Sequence, residues 1–409
     1  MNTPAAASAK TFSPYQKRVL GILAFLQFSV ILDFMLMAPL GALIIPALKI
    51  GPSQFGLVVS AYAFSAGISG ILIAGFADRF DRKKLLLFFY SGFVLGTVWC
   101  GLAQSYESLL LARVFTGLFG GVIGSVVLAI AADLFAPQMR GRVMGLIQTA
   151  FSASQVLGIP AGLYLSSRWN WHVPFLAMAA LGLAGGIVVA LGLKPVTGHL
   201  NSPQERSAFL HLLHTLKDPR HVPAFAATAL LTTGAFMLMP FSSAFATNNL
   251  EIGIAVLPVV YLVTGLCMVV FGPVIGKATD TFGKRRVFSF GTVMSIVMVL
   301  IYTHLGPIPL YGLILLNIVL FVGISSRMIP FQAMASTIPV PAARGAFNAV
   351  SASIQQVSGG IASVIAGHIV SLDASGKLLH FNVVGYVVAG TALVAWALFL
   401  RLGASRGTP

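Results

Sequence analysis

DRFDRKK, residues 78–84, returns 202 residues later as DTFGKRR, residues 280–286. Working outward from that pair, DFMLM (33–37) matches AFMLM (235–239), and LKIG (48–51) matches LEIG (250–253), both at the same offset. PQMRG (137–141) matches PAARG (341–345) at an offset of 204. Four matches in one order at nearly constant spacing identify a unit of about two hundred residues duplicated in tandem.

The content of the unit follows from its hydropathy. The chain of 409 residues is 57% hydrophobic and 9% charged, with a mean hydropathy of +0.92. Soluble domains carry about 25% charged residues, so this chain lacks the polar surface to face water. Apolar runs long enough to cross roughly 30 Å of hydrocarbon recur throughout. Twelve spans are predicted, at about 18–45, 54–76, 84–103, 108–133, 143–166, 172–193, 222–247, 254–276, 287–304, 309–336, 345–370 and 382–401. Six therefore fall in each copy, and an even number leaves both copies in the same orientation. The domain expectation is an N-terminal six-helix bundle (1–193), a linker (194–221) and a C-terminal six-helix bundle (222–409). The linker is polar and its SAFLHLLHTLK stretch reads as an amphipathic surface helix. No cleavable leader is expected, because the first apolar run is too long for one.

A net charge of +15 suggests nucleic acid in a soluble protein. Here its placement argues otherwise. With the loops numbered alternately, twenty of the 25 Lys and Arg residues fall on the side of the N-terminus. Lys49, Arg168 and Lys377 fall on the other side, while Arg113 and Arg327 lie within spans. Such bias places both termini in the cytoplasm of a bacterial-type inner membrane. The basic excess reads as topology and contact with membrane lipid, with no nucleic acid implied. Cys100 and Cys267 lie in different spans and form no metal-ligand or disulfide pattern, so no metal and no cofactor are implied.

ADRFDRKK (77–84) and its second copy resemble the D-R-x-G-[RK]-[RK] loop of the major facilitator superfamily. Asp81 stands where that signature has glycine, which the second copy keeps as Gly283. LLARVFTGLFGGV (110–122) resembles the family's fourth-span motif, a buried Arg followed by spaced glycines. GIPAG (158–162) with the RWNWHVPF that follows it resembles the fifth-span antiporter motif, with Ile159 and Pro160 displaced from the usual order and His172 where Arg is usual. The variant is similar to that of the twelve-span drug:proton antiporters of the arabinose-efflux-permease-like branch. The resemblance implies twelve transmembrane helices in two pseudo-symmetric bundles, an all-α membrane protein working by alternating access. It also implies gating loops built on Asp78, Arg79, Arg82, Lys83 and Asp133 in the first copy, and on Asp280, Gly283, Lys284 and Arg285 in the second. Gly158, Pro160 and Gly162 would form a hinge in span five; the alternative is ordinary packing glycine.

Of ten acidic residues, only Asp33 lies deep in a span. A charged Asp at a helix centre costs roughly 2.5–3.5 kcal/mol on insertion scales, so such residues usually serve a pathway. The second copy keeps the neighbours of Asp33 but has Ala235 at its position, so packing alone does not demand the acid. Asp33 is the candidate proton-coupling group, with Arg113 as its partner; a static pair that only fixes helix packing is the alternative. Arg327 is left open between neutralising an anionic substrate, pairing with Asp33, and snorkelling to the interface. Gln27, Phe34, Met37, Gln155, Phe236, Met239, Asn317 and Gln355 are candidate cavity residues, each also readable as packing. The expected function is proton-coupled efflux of small amphipathic organic compounds or drugs, by a monomer and without enzymatic chemistry. Transport of a sugar, metabolite or lipid on the same scaffold is the alternative.

Overall fold

In the computed structural model, residues 12–73, 77–201, 208–340 and 344–404 are described. Among them, twelve helices are long and apolar enough to cross a membrane. They are α1 (Pro14–Leu36), α2 (Pro52–Ile73), α3 (Arg82–Leu102), α4 (Tyr106–Leu134), α5 (Arg140–Arg168) and α6 (His172–Gly192), then α7 (Val222–Asn248), α8 (Leu257–Phe282), α9 (Lys284–His304), α10 (Leu310–Ala335), α11 (Arg344–Ile369) and α12 (Phe381–Ala404). Large apolar side chains such as Leu191 and Val270 remain exposed on the outer faces. In water they would form an aggregation surface; against lipid tails they need no cover.

Local chemistry sets the helix ends. Ser13 and Gln16 form a reciprocal capping box at the start of α1, with Pro14 in the first turn, a device that stabilises by about 1 kcal/mol. The first predicted span, 18–45, is divided: α1 stops at Leu36, and after the turn at Met37–Leu40 a separate helix runs Gly41–Leu48. Pro39, which has no N–H to donate, sits in that break. The two repeated loops also differ. Asp81 (φ −56°) caps α3 by accepting from Lys83 N at 2.9 Å, and it also accepts from Val196 N at 2.9 Å. Gly283 turns into α9 at φ 87°, a conformation that favours glycine. The loss of the signature glycine in the first copy is therefore compensated by a side-chain cap.

Within each half the helices pack in related pairs, α3 on α4 and α6, and α9 on α10 and α12. Between the halves, α2 packs on α11, α5 on α8, and the Gly41–Leu48 helix on α7. The tightest of these contacts gather away from the basic loops. A Cβ on Gly56 would lie 2.6 Å from Ser363 O, and one on Gly367 would lie 2.9 Å from Pro52 O. Ser243 Oγ donates to Ala38 O at 3.3 Å across the same seam. Across the same seam the rings of Phe34 and Phe236 meet at 5.6 Å. The halves are thus sealed on the side remote from the basic loops.

Two elements depart from a plain helical plan. Between α11 and α12 lies a short antiparallel hairpin, β1 (Ser371–Leu372) and β2 (Leu378–Leu379), which Asn249 clamps to the end of α7 through Leu378 N and O. In the linker, the described part of the amphipathic segment is helical from Ala208 to Lys217, and Leu212 buries against Phe225 and Phe347.

Candidate functional site

Asp33 lies one turn before the end of α1 and is 0% exposed. Arg113, also 0% exposed, reaches it from α4: Nη1 donates to Asp33 Oδ2 at 2.7 Å. Thr97, from α3, divides its hydroxyl hydrogen between Asp33 Oδ1 at 3.2 Å and Phe93 O at 3.0 Å. The Tyr62 ring of α2 closes the fourth side, with Arg113 Cζ 4.5 Å from its centroid, a cation–π distance. The glycines of α4 make this approach possible. A Cβ on Gly117 would clash with Ser65 Oγ and stand 2.5 Å from Tyr62 O, and one on Gly121 would stand 2.5 Å from Ala66 Cα.

Each of the first four spans thus contributes to a fully buried ion pair. The sequence reading identified Asp33 and Arg113 and missed Tyr62 and Thr97. A threonine in a span satisfies its hydroxyl on its own helix, as Thr97 does on Phe93 O, so it raises no flag by cost. The pair does not line an open cavity in this conformation; it is enclosed within the first half.

Arg327 does not pair with Asp33, and it does not snorkel. It is 6% exposed, its Nη1 donates to Ser295 Oγ at 3.4 Å, and its Nε has no hydrogen-bond partner. Among the other candidates, Phe34 touches both Tyr62 and Phe236, and Met37 is wholly buried in the same core that Met239 packs against. Gln27 is half-buried with its Oε1 unpartnered, beside Gly124 of α4. Gln155 lies at the α5–α8 seam, where its carbonyl would be 3.4 Å from a Cβ on Gly265. Asn317 Nδ2 bonds its own helix at Leu313 O, and Gln355 is exposed.

At the basic ends, Arg82 Nε pairs with Asp133 Oδ2 at 3.1 Å, joining α3 to α4. Lys83 Nζ donates to Ala190 O at 2.7 Å at the end of α6, and Arg285, its repeat equivalent, donates to Leu400 O at 3.5 Å at the end of α12. Cations there satisfy helix carbonyls that have no partner in their own helix. Arg79 and Asp280 are exposed, and Lys284 forms no ion pair among the described residues. The Asp78 side chain lies outside the described residues.

In α5 the helix widens to a π-turn over Ser154–Gly158, immediately before Pro160. Gly158 and Gly162 face α1, where a Cβ on each would meet Leu32 and Leu36 respectively at 2.5 Å. The segment read as a hinge is thus both irregular and tightly packed.

Two related six-helix bundles in one orientation are the plan of a class of secondary transporters. The Major Facilitator Superfamily profile matches residues 23–253 and 224–408, and the chain belongs to that superfamily. It is 22% identical over 349 residues to the putative transporter AraJ of Escherichia coli, covering 85% of this chain and 84% of AraJ. Over 130 residues it is 31% identical to multidrug resistance protein 3 of Bacillus subtilis, 32% of this chain and 25% of that protein. The crystal structure of the nucleoside transporter NupG superposes with a TM-score of 0.76 at 16% identity, covering 94% of this chain and 98% of NupG. At that identity the likeness speaks for the fold.

Proposed function

We propose that this transporter exports small amphipathic organic compounds in exchange for protons, with Asp33 as the proton-carrying group. The observation that carries the reading is the Asp33–Arg113 pair: fully buried, bonded at 2.7 Å, and reduced to alanine at the equivalent position of the second repeat. Protonating Asp33 removes the charge-assisted bond and leaves Arg113 to Tyr62. Deprotonation restores it. Because the pair is shut off from water here, the proton exchanges only when α1 moves relative to α3 and α4. That ties protonation to conformation, which is what coupling requires. Arg82–Asp133 and the repeated basic loops would latch the basic side, and the π-turn in α5 would absorb the bend. The apolar faces of Phe34, Phe236 and Met239 suit an amphipathic substrate. We place the protein in a bacterial-type inner membrane as a monomer, both termini cytoplasmic, from the charge asymmetry of its loops.

The test uses everted vesicles with an acid interior and a pH-sensitive dye, for wild type and Asp33→Asn. Collapse of the gradient by an added compound in wild type alone is the expected result. Equal responses in both would make the pair structural.

A further inference from the structure

The second repeat holds a buried guanidinium of its own, Arg327, at a position where the first repeat has no base. In the first repeat, spans one, three and four supply a carboxylate (Asp33), a hydroxyl (Thr97) and a guanidinium (Arg113). In the second repeat α7 supplies Ala235, the counterpart of Asp33, while α9 and α10 supply Ser295 and Arg327 from positions that are not the counterparts of Thr97 and Arg113; all three line one cavity of about 20 Å³. That is room for about one water-sized group. The rest of the lining is apolar, Leu238, Val299 and Val388 among it.

What Arg327 lacks there is an acid. Arg327 is 6% exposed, and no carboxylate pairs with it among the described residues; its Nε is unpartnered and its one side-chain bond, to Ser295 Oγ, is long at 3.4 Å. Ser295 already donates to Thr292 O, so its oxygen is held to accept and cannot itself balance the charge. Close packing prevents the guanidinium from withdrawing. A Cβ on Gly323 would be 3.0 Å from Ser295 N, and one on Gly291 would be 2.6 Å from Ser326 Cβ, so α9 and α10 are pressed together at its base. A buried cation fixed in an apolar wall, with a small void beside it, calls for an anion.

We propose that this cavity binds a single monovalent anionic group, a carboxylate or a halide, in the place of the acid that Asp33 supplies in the first repeat. If the group is a carboxylate of the transported compound, the substrate class narrows to organic anions and zwitterions. The site itself stands whether or not Asp33 carries protons.

The experiment is thermal unfolding of the purified protein in detergent, followed by tryptophan fluorescence, titrated with sodium chloride, sodium acetate and sodium benzoate at matched ionic strength. Wild type should show a saturable rise in Tm. Ala235→Asp, which places an internal carboxylate at the cavity, should raise Tm without added anion and abolish the response. Arg327→Leu should abolish it too, while Arg327→Lys keeps a weaker one. Chloride acting alone identifies an inorganic ion; acetate or benzoate acting without chloride identifies the carboxylate of an organic solute. Absence of a saturable shift in wild type overturns the proposal, as does a shift that survives in both Ala235→Asp and Arg327→Leu. Asp33→Asn should leave the shift in place, so failure of anion binding and failure of proton coupling are separate results.

Discussion

The two halves share a plan and differ in where they keep charge. The first half encloses a complete ion pair, Asp33 with Arg113, braced by Thr97 and Tyr62. In the second, Arg327 has no acid partner among the described residues, and the position matching Asp33 is Ala235. The basic ends repeat the contrast. Arg82 has Asp133, whereas its counterpart Lys284 has no ion-pair partner among the described residues, and the position 202 residues beyond Asp133 is Ala335. Duplication thus preserved the helices, their capping cations Lys83 and Arg285, and one loop acid, Asp78 as Asp280, while the acids that pair with Arg113 and Arg82 have no acidic counterpart at that offset. A scaffold tolerates loss of an acid wherever apolar packing replaces it; it tolerates an unpaired buried base only at a cost. Hence the asymmetry points to separate duties, a self-contained pair in one half and a buried guanidinium with no acid partner among the described residues in the other.

The largest expected effect tests that contrast directly. Arg113→Leu leaves Asp33 buried without its partner and should lower stability by about 3–5 kcal/mol, with most of the loss recovered in the Asp33→Leu/Arg113→Leu double variant. Arg327→Leu removes a charge that has no acid partner among the described residues and should be neutral or stabilising in anion-free buffer. Equal losses for the two single variants, measured by thermal unfolding in detergent, would break the comparison.

A middle-sized effect concerns the glycines. Gly121 faces the backbone of Ala66 on α2, whereas its repeat equivalent Gly323 faces Ser295 on α9 with half an ångström more room. Gly121→Ala should therefore cost about 1–3 kcal/mol by overpacking and disturb the Tyr62–Arg113 stacking, and Gly323→Ala should cost less. A reversed order in Tm would mean that the two halves pack differently from the description above. Smallest is the basic-side pair: Arg82→Ala should change stability by less than about 1 kcal/mol, since Asp133 is partly exposed, and Lys284→Ala should have no measurable effect. Transport rate, assayed in the same vesicles, should fall for Arg82→Ala alone.

By itself the sequence determined the repeat, the twelve spans, the biased loops and the singularity of Asp33. Each of these is a property of one segment or of spacing along the chain, so hydropathy and counting suffice. Residues brought together from different helices were another matter. Asp33 and Arg113 are 80 positions apart, and Arg327 was an equally eligible partner until helix packing placed it in the other half. Thr97 and Tyr62 were invisible because neither carries a cost that marks it in an apolar run. The π-turn before Pro160 and the hairpin after α11 depend on neighbours that the local pattern does not contain, and the break at Pro39 lies inside an apolar run that hydropathy reads as one span. Periodicity gives a residue's depth and face on its own helix. Which face of which other helix it meets was decided by the glycine contacts of α4 with α2, and of α9 with α10, and those exist only in the folded protein.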